Sequence, residues 1–390
     1  MTQIRRSARK PEKMHHMLRD LYCAHRPKDY RTPAPFEIFA NQVAEYSPES
    51  TPSPSVLAFT TLCAGLPTRR AHSLKISTKR VHSVLFFPDS TQFVSASDDA
   101  TICIWDMSTY KMAGSQLSMD DALVTSLALS PDGNYIAASY SRSYRREYTL
   151  FHTTWICIWS LQDRKPVYHL STQNAYDNWI YALAYSPDGE RVASGSADGT
   201  VQLWNANTGD VIGKPIKWHD GAVYSVAFSH DGRHIASGSN DKTIFICDTV
   251  DGLLVGRPFR DHEYAVWSIA YSVNGKYMAS SSFNTLRIWD LEATRGKSSP
   301  FAAACRCIVG HSSAITCIAF SSDSRFLISG GSDGTVRIWE VDSGEAVIAL
   351  RTFEGSLNAE AAVCAVSISP STDYIVAGTE GGMLYSWRRE

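Results

Sequence analysis

The chain has 390 residues, 44% of them apolar, and a formal net charge of −2 at pH 7. That suits a globular protein with room for one large or two ordinary domains. No apolar run approaches the ~18 residues of a membrane span, and the basic start MTQIRRSARKPEKMHHM lacks the apolar stretch of a secretory signal.

Residues 1–31 hold nine Lys/Arg against three Asp/Glu, a local net of +6 that leaves −8 on the remainder. Pro11 to Arg26 has the composition of a short helix with proline near its start, and Pro27 would end it. Ser47 to Ser55, SPESTPSPS, reads as a Pro/Ser linker. Residues 1–70 are therefore expected to form a basic, irregular or partly helical N-terminal extension, and the acidic balance of the rest argues against a broad nucleic-acid surface.

From Val81 onward one pattern recurs. GHSSAITCIAFSSDSRFLISGGSDGTVRIWEVDSG, residues 310–344, shows it most completely. Three short runs alternate at period two and are rich in β-branched and aromatic residues, which reads as strand. Small, φ-permissive residues lie between them, as tight hairpins require. Anchors at Trp105, Trp159, Trp204, Cys247, Trp289, Trp339 and Trp387 end seven such units at spacings of 54, 45, 43, 42, 50 and 48 residues. One unit cannot bury its own core, and a period of this length is that of a four-stranded propeller blade.

The units resemble the WD-repeat family, on the strength of Trp105-Asp106, Trp289-Asp290, SPDG at 130–133 and 186–189, and Gly310-His311. The resemblance covers about 71–390 and implies an all-β, seven-bladed β-propeller of four-stranded antiparallel blades. The last unit stops three residues after Trp387, so its outer strand must come from elsewhere. Residues 71–77 are expected to supply it by pairing with Met383–Arg388, because an unclosed ring would expose a sheet edge.

His311, Ser329 and Asp333 contain the residue types of a nucleophilic triad. In the family that is resembled, residues at these places form with the Trp, here Trp339, a buried structural hydrogen-bond network, and that role is expected here. Unit four keeps His219, Ser237 and Asp241 but has Cys247 as its anchor. Unit five keeps His262, Ser280 and Trp289, but its turn is one residue shorter and offers Asn284 in place of an Asp. Ala138 and Ala377 replace the Ser in units two and seven. No GxxxxGK[ST] segment occurs, and Cys305-Arg306-Cys307 has the wrong spacing for a zinc knuckle. No catalytic, cofactor or metal site is expected. Strand-borne Cys103, Cys157, Cys247, Cys317 and Cys364 suit a reducing compartment inside the cell, cytoplasm or nucleus.

Partners in this family often dock on the top face, beside the start of each inner strand and before the turn Asp. Carried over residue by residue, that rule selects Arg80, His82 and Asp98 in unit one, Trp179 and Tyr181 in unit three, Tyr224 in unit four and Trp267 in unit five. The four aromatics would form an arc on blades three to five. Unit two carries 11 extra residues between Ala138 and Trp159. Its insertion interleaves Arg142, Arg145 and Arg146 with Tyr140, Tyr144 and Tyr148, a mixture suited to phosphate or carboxylate. The expected function is a non-catalytic scaffold, a monomeric propeller within a larger complex that binds a peptide or protein. Alternatives are a ubiquitin-ligase substrate receptor, against which Ser108 and Glu292 stand where Arg would follow the Trp-Asp pair, and a sensor module detached from a nucleotide-switch protein.

Overall fold

Each apolar run of the repeat is a strand, and successive strands fold back antiparallel into seven sheets. The computed structural model describes residues 67–119, 122–146, 149–171, 179–292, 305–353 and 359–389. The helix expected at 11–26 and the linker at 47–55 lie outside the described residues. The first strand of each blade touches the first strands of the blades on either side, and this cycle of seven closes between blades seven and one.

Period-two alternation explains where the core sits. Both faces of every blade are covered by neighbours, so inward positions on either face are apolar or small. The result is seven apolar layers, each shared by two successive blades. Trp204, for example, packs with Ile156, Ile158 and Ile180 between blades two and three. The Ser-Gly pairs of the second strands serve the same packing. A Cβ on Gly238 would lie 2.6 Å from Val266 Cγ1 of the next blade, and one on Gly330 2.5 Å from Val363 Cγ1, closer than any side chain tolerates.

Hydroxyls join the inner strands directly. Ser126 Oγ accepts from Leu183 N–H at 3.1 Å, Ser225 Oγ from Ile269 N–H at 2.9 Å, Ser268 Oγ from Ile318 N–H at 3.3 Å and Ser367 Oγ from Phe86 N–H at 3.3 Å. Each bond crosses from one blade to the next.

Closure uses the strand Pro67–Lys75, which pairs antiparallel with Met383–Arg389 from Pro67 opposite Arg389 to Lys75 opposite Met383. The strand thus starts four residues before the expected 71–77 and ends two before it. Ile76 and Ser77 N–H both turn to Gly382 O instead. Blade four departs from the four-stranded pattern. Its sheet has three strands, and the outer edge is reduced to the bridges Ile244–Phe259 and Cys247–Leu254. Gly256 in left-handed backbone and Pro258, which has no N–H to give a ladder, account for the break.

The unit-two insertion lengthens the blade rather than forming a loop. Strands Tyr135–Arg146 and Thr149–Ser160 face each other at twelve positions, against five for the matching strands of blade three. Tyr140, expected with the Arg/Tyr mixture of the insertion, departs from that expectation. Tyr140 lies two positions beyond Ala138 and so on the same, inward face. It is fully buried, stacks on Trp155 at 5.8 Å, and its hydroxyl accepts from Trp159 Nε1 at 3.0 Å. It thereby supplies the acceptor that Ala138 cannot. Tyr140→Phe should leave that indole N–H buried and unpaired, costing about 1–3 kcal/mol. A fall in the urea midpoint at unchanged slope is the expected reading.

Candidate partner-binding face

In blade six the four network residues are bonded in sequence. His311 Nδ1 lies 3.0 Å from both Asp333 carboxylate oxygens, His311 Nε2 2.7 Å from Ser329 Oγ, and Trp339 Nε1 donates to Ser329 Oγ at 2.8 Å. Asp333 also accepts from Thr335 Oγ1 and Ser312 N–H. Ser329 is fully buried, with its hydroxyl held between two ring nitrogens. It therefore has the bonding of a structural tie and none of the access an attacking serine needs.

The other blades keep fragments of the network. Trp105 donates to Ser95 at 2.8 Å and Trp204 to Ser194 at 2.9 Å. Blade four keeps His219–Asp241 and His219–Ser237 at 3.0 and 2.8 Å, while the Cys247 thiol turns to Ile235 O. Blade five keeps His262–Ser280 and Trp289–Ser280 at 2.7 and 3.0 Å.

The three unit-one candidates lie on the same face and are engaged within the chain. Arg80, 6% exposed, forms a forked ion pair with Glu380 across the seam of blades one and seven, and its Nη2 is 2.7 Å from Oε1. His82 Nε2 lies 2.6 Å from Asp98 Oδ1. Burial alone would raise the Asp98 carboxyl, but the His82 charge and hydrogen bond, with Arg80 and Lys79 nearby, hold it below its ordinary value. Arg80 ties the seam where the ring closes, while His82 and Asp98 pair within blade one. The partner, Glu380, is 300 residues away in sequence.

The four aromatics form one array. Trp179 stacks beside Tyr181 with centroids 6.4 Å apart, and Tyr181 meets Tyr224 edge-on at 5.3 Å and 72°. Tyr224 lies parallel to Trp267 at 4.7 Å and 8°. All four are half-buried. Backbone bonds place them at the top turns, since Ala197 N–H donates to Trp179 O and Trp267 N–H to Ser281 O. Tyr224 and Trp267 stack face to face, which fixes one face of each ring against the other.

Blade two's lengthened hairpin rises from the connection that corresponds to the blade-three turn beside Trp179. Arg142 is exposed near its base, and the side chains of Arg145 and Arg146 lie outside the described residues. At the opposite end of the inner strands an open cavity of about 470 Å³ is lined by Leu85, Leu127, Leu129, Leu183, Tyr185 and Ile368, among others. Among the described residues no three His, Cys, Asp or Glu are grouped to hold a metal ion, and no helix is long and apolar enough to cross a membrane.

Seven radially arranged antiparallel sheets, closed by a strand from ahead of the first, define a seven-bladed β-propeller. The family model described as "WD domain, G-beta repeat" matches seven times, at 67–106, 114–145, 164–205, 212–248, 254–290, 304–340 and 349–388. The chain belongs to that family. It is similar to pre-mRNA-processing factor 19 of Caenorhabditis elegans, 24% identical over 34% of this chain and 25% of the relative. It is also similar to human WD repeat and SOCS box-containing protein 1, 27% identical over 32% and 26%, and to the Arabidopsis thaliana guanine nucleotide-binding protein subunit beta, 30% identical over 32% and 31%. The chain thus spans about a quarter to a third of the length of these relatives.

Proposed function

We propose that the protein is a non-catalytic interaction scaffold that takes a peptide or protein partner on the top face of blades two to five. The observation that carries this reading is the array Trp179–Tyr181–Tyr224–Trp267. Three successive blades contribute to it, it lies at the top turns, and every ring is half-buried. Large, rigid aromatics fixed by mutual stacking lose little entropy when a partner covers them, and such residues dominate binding energy at interfaces. Exposed Arg142, with Arg145 and Arg146 further along the same hairpin, would add an anion-reading edge beside the apolar arc. The partner that fits is a segment with an apolar anchor flanked by carboxylate or phosphate.

Trp179→Ala combined with Trp267→Ala should weaken such a partner at least tenfold while the cooperative melt of the propeller is retained. Affinity purification of both forms from the same cells, with the recovered partners compared quantitatively, is the check. An unchanged set of partners with a folded double variant would remove the arc from the interface. A ligase-receptor reading gains little from the turns after the Trp-Asp pairs. Ser108 and Glu292 stand where Arg would follow the Trp-Asp pair.

A further inference from the structure

We propose that the uncharged segment 56–66, just ahead of the closing strand, lies across the end of the ring opposite the top face and sets Leu57 and Phe59 into the open cavity there. That cavity, about 470 Å³, is lined by the ends of the inner strands of blades seven, one, two and three. Leu85, Leu129 and Tyr185 on its wall are half-buried, and Pro88, Pro131 and Pro370, which also line it, are exposed. Leu85 is particular to blade one. At the matching place blades two to six have Ala, and blade seven has Ser367. An apolar wall this accessible favours an apolar occupant.

The register of blade seven brings the chain to this cavity. Its sheet runs from the outer strand Pro67–Lys75 through Met383–Arg389 and Tyr374–Thr379 to the inner strand Val363–Ile368. Pro67 faces Arg389, whose N–H donates to Asp373 O, and Asp373 belongs to the turn that joins Ile368 to Tyr374. Ile368 and Pro370, at the start of that turn, line the cavity. Pro67 therefore stands at the cavity's end of the ring, and Lys75 at the other. Three strand spacings of about 4.8 Å separate Pro67 from the inner strand. An extended chain advances about 3.3 Å per residue, so about five residues cross the blade.

Residues 56–66 lie outside the described residues, and their sequence carries the match. Residues 62–66 provide the crossing, and 56–61, VLAFTT, then fall over the cavity. No charge occurs from Val56 to Leu66, whereas the stretch before it is the polar Pro/Ser linker 47–55. Placing Leu57 and Phe59 against Leu85, Leu129 and Tyr185 takes apolar surface of both partners out of water at once. The tether to Pro67 is short, so the segment acts at an effective concentration of about millimolar, and a separate peptide would have to compete with it. The top face stays free, so the reading of the aromatic arc stands or falls independently.

The test puts the photo-cross-linker p-benzoylphenylalanine in place of Phe59 in the purified full chain and maps the products by mass spectrometry. They should concentrate on residues 85–88, 127–131, 183–185 and 367–370. Leu85→Glu, which sets a charge on the cavity wall, should cut their yield about tenfold while the melt stays cooperative. A second measurement does not depend on that variant. Leu57→Ser combined with Phe59→Ser should lower the urea midpoint of the parent, and should lower it less in a Leu85→Ala chain, whose residue is the one that five other blades carry. Cross-links that join two chains would give the cavity to a second copy, and cross-links on the top face or scattered over the surface would place the segment elsewhere. Either result overturns the proposal, as does an equal fall of the midpoint in both backgrounds.

Discussion

Removing residues 1–78 should give a chain that melts earlier and self-associates more than the full-length protein. The strand Pro67–Lys75 covers the whole outer edge of Met383–Arg389, and Leu74 and Ile76 complete the apolar layer between blades seven and one. Arg70 lies over the Tyr385 ring at 4.5 Å, and Lys75 Nζ donates to Gly381 O. Leu74 and Ile76 are half-buried, and their burial contributes about 2–3 kcal/mol, a sizeable share of the stability of an ordinary domain. The loss also leaves an unpaired edge beside Trp387, the kind of edge that recruits a second chain. Size-exclusion chromatography and a melting curve of the shortened chain provide the check. A monomer with an unchanged midpoint would mean that the ring closes without its clasp.

Asp333→Ala should be the most damaging exchange of a single network residue. It strips His311 Nδ1, Ser312 N–H and Thr335 of their common acceptor inside a blade that buries all but 5% of the Asp333 surface. Orphaning a buried partner in such a network costs about 3 kcal/mol, so the chemical-denaturation midpoint should fall well below that of the parent. The same carboxylate sets an acid limit. Burial by itself would raise Asp333, but the His311 hydrogen bond and charge, with Thr335 and Ser312, outweigh it and bring the group from 3.8 to about 2. A carboxyl that is more acidic when folded stabilises the protein fully above its unfolded value near 4. That contribution, about 2 kcal/mol, is lost as the pH falls from 4 towards 2. Asp333→Ala should therefore flatten the stability profile across that window, as measured by urea midpoints at stepped pH.

The inner three strands of each blade were readable because both of their faces are buried. Every second residue is then constrained, and runs such as RVASGS and HIASGS carry that constraint openly. The outer strands were not, since they cover one face and leave the other in water. Nothing short of the ladder itself distinguishes the two-residue strand Leu117–Ser118 from the full strand Ala346–Arg351, or predicts that blade four makes do with two bridges. The candidate face divides in the same way. The arc followed from equivalent positions in successive repeats, and its rings do meet. Arg80 needed knowledge of which blade closes on which, because Glu380 becomes its neighbour only through closure. Tyr140 was legible in principle, since its even offset from Ala138 puts it on the inward face.

The hydroxyl bonds between inner strands constrain how any partner can be recognised. An inner strand borders the central channel as the open edge of its sheet, and such an edge commonly accepts a peptide as an additional strand. Here Leu183, Ile269, Ile318 and Phe86 have each given an edge N–H to a serine of the adjoining blade. A peptide extended along those strands would have to break these bonds and separate the blades to reach the same donors. Main-chain pairing in the channel is therefore closed to a ligand at these four blade junctions. Selectivity must come from side chains inserted from the ends of the ring, so a partner's residue sequence, more than its ability to become a strand, decides whether it is held.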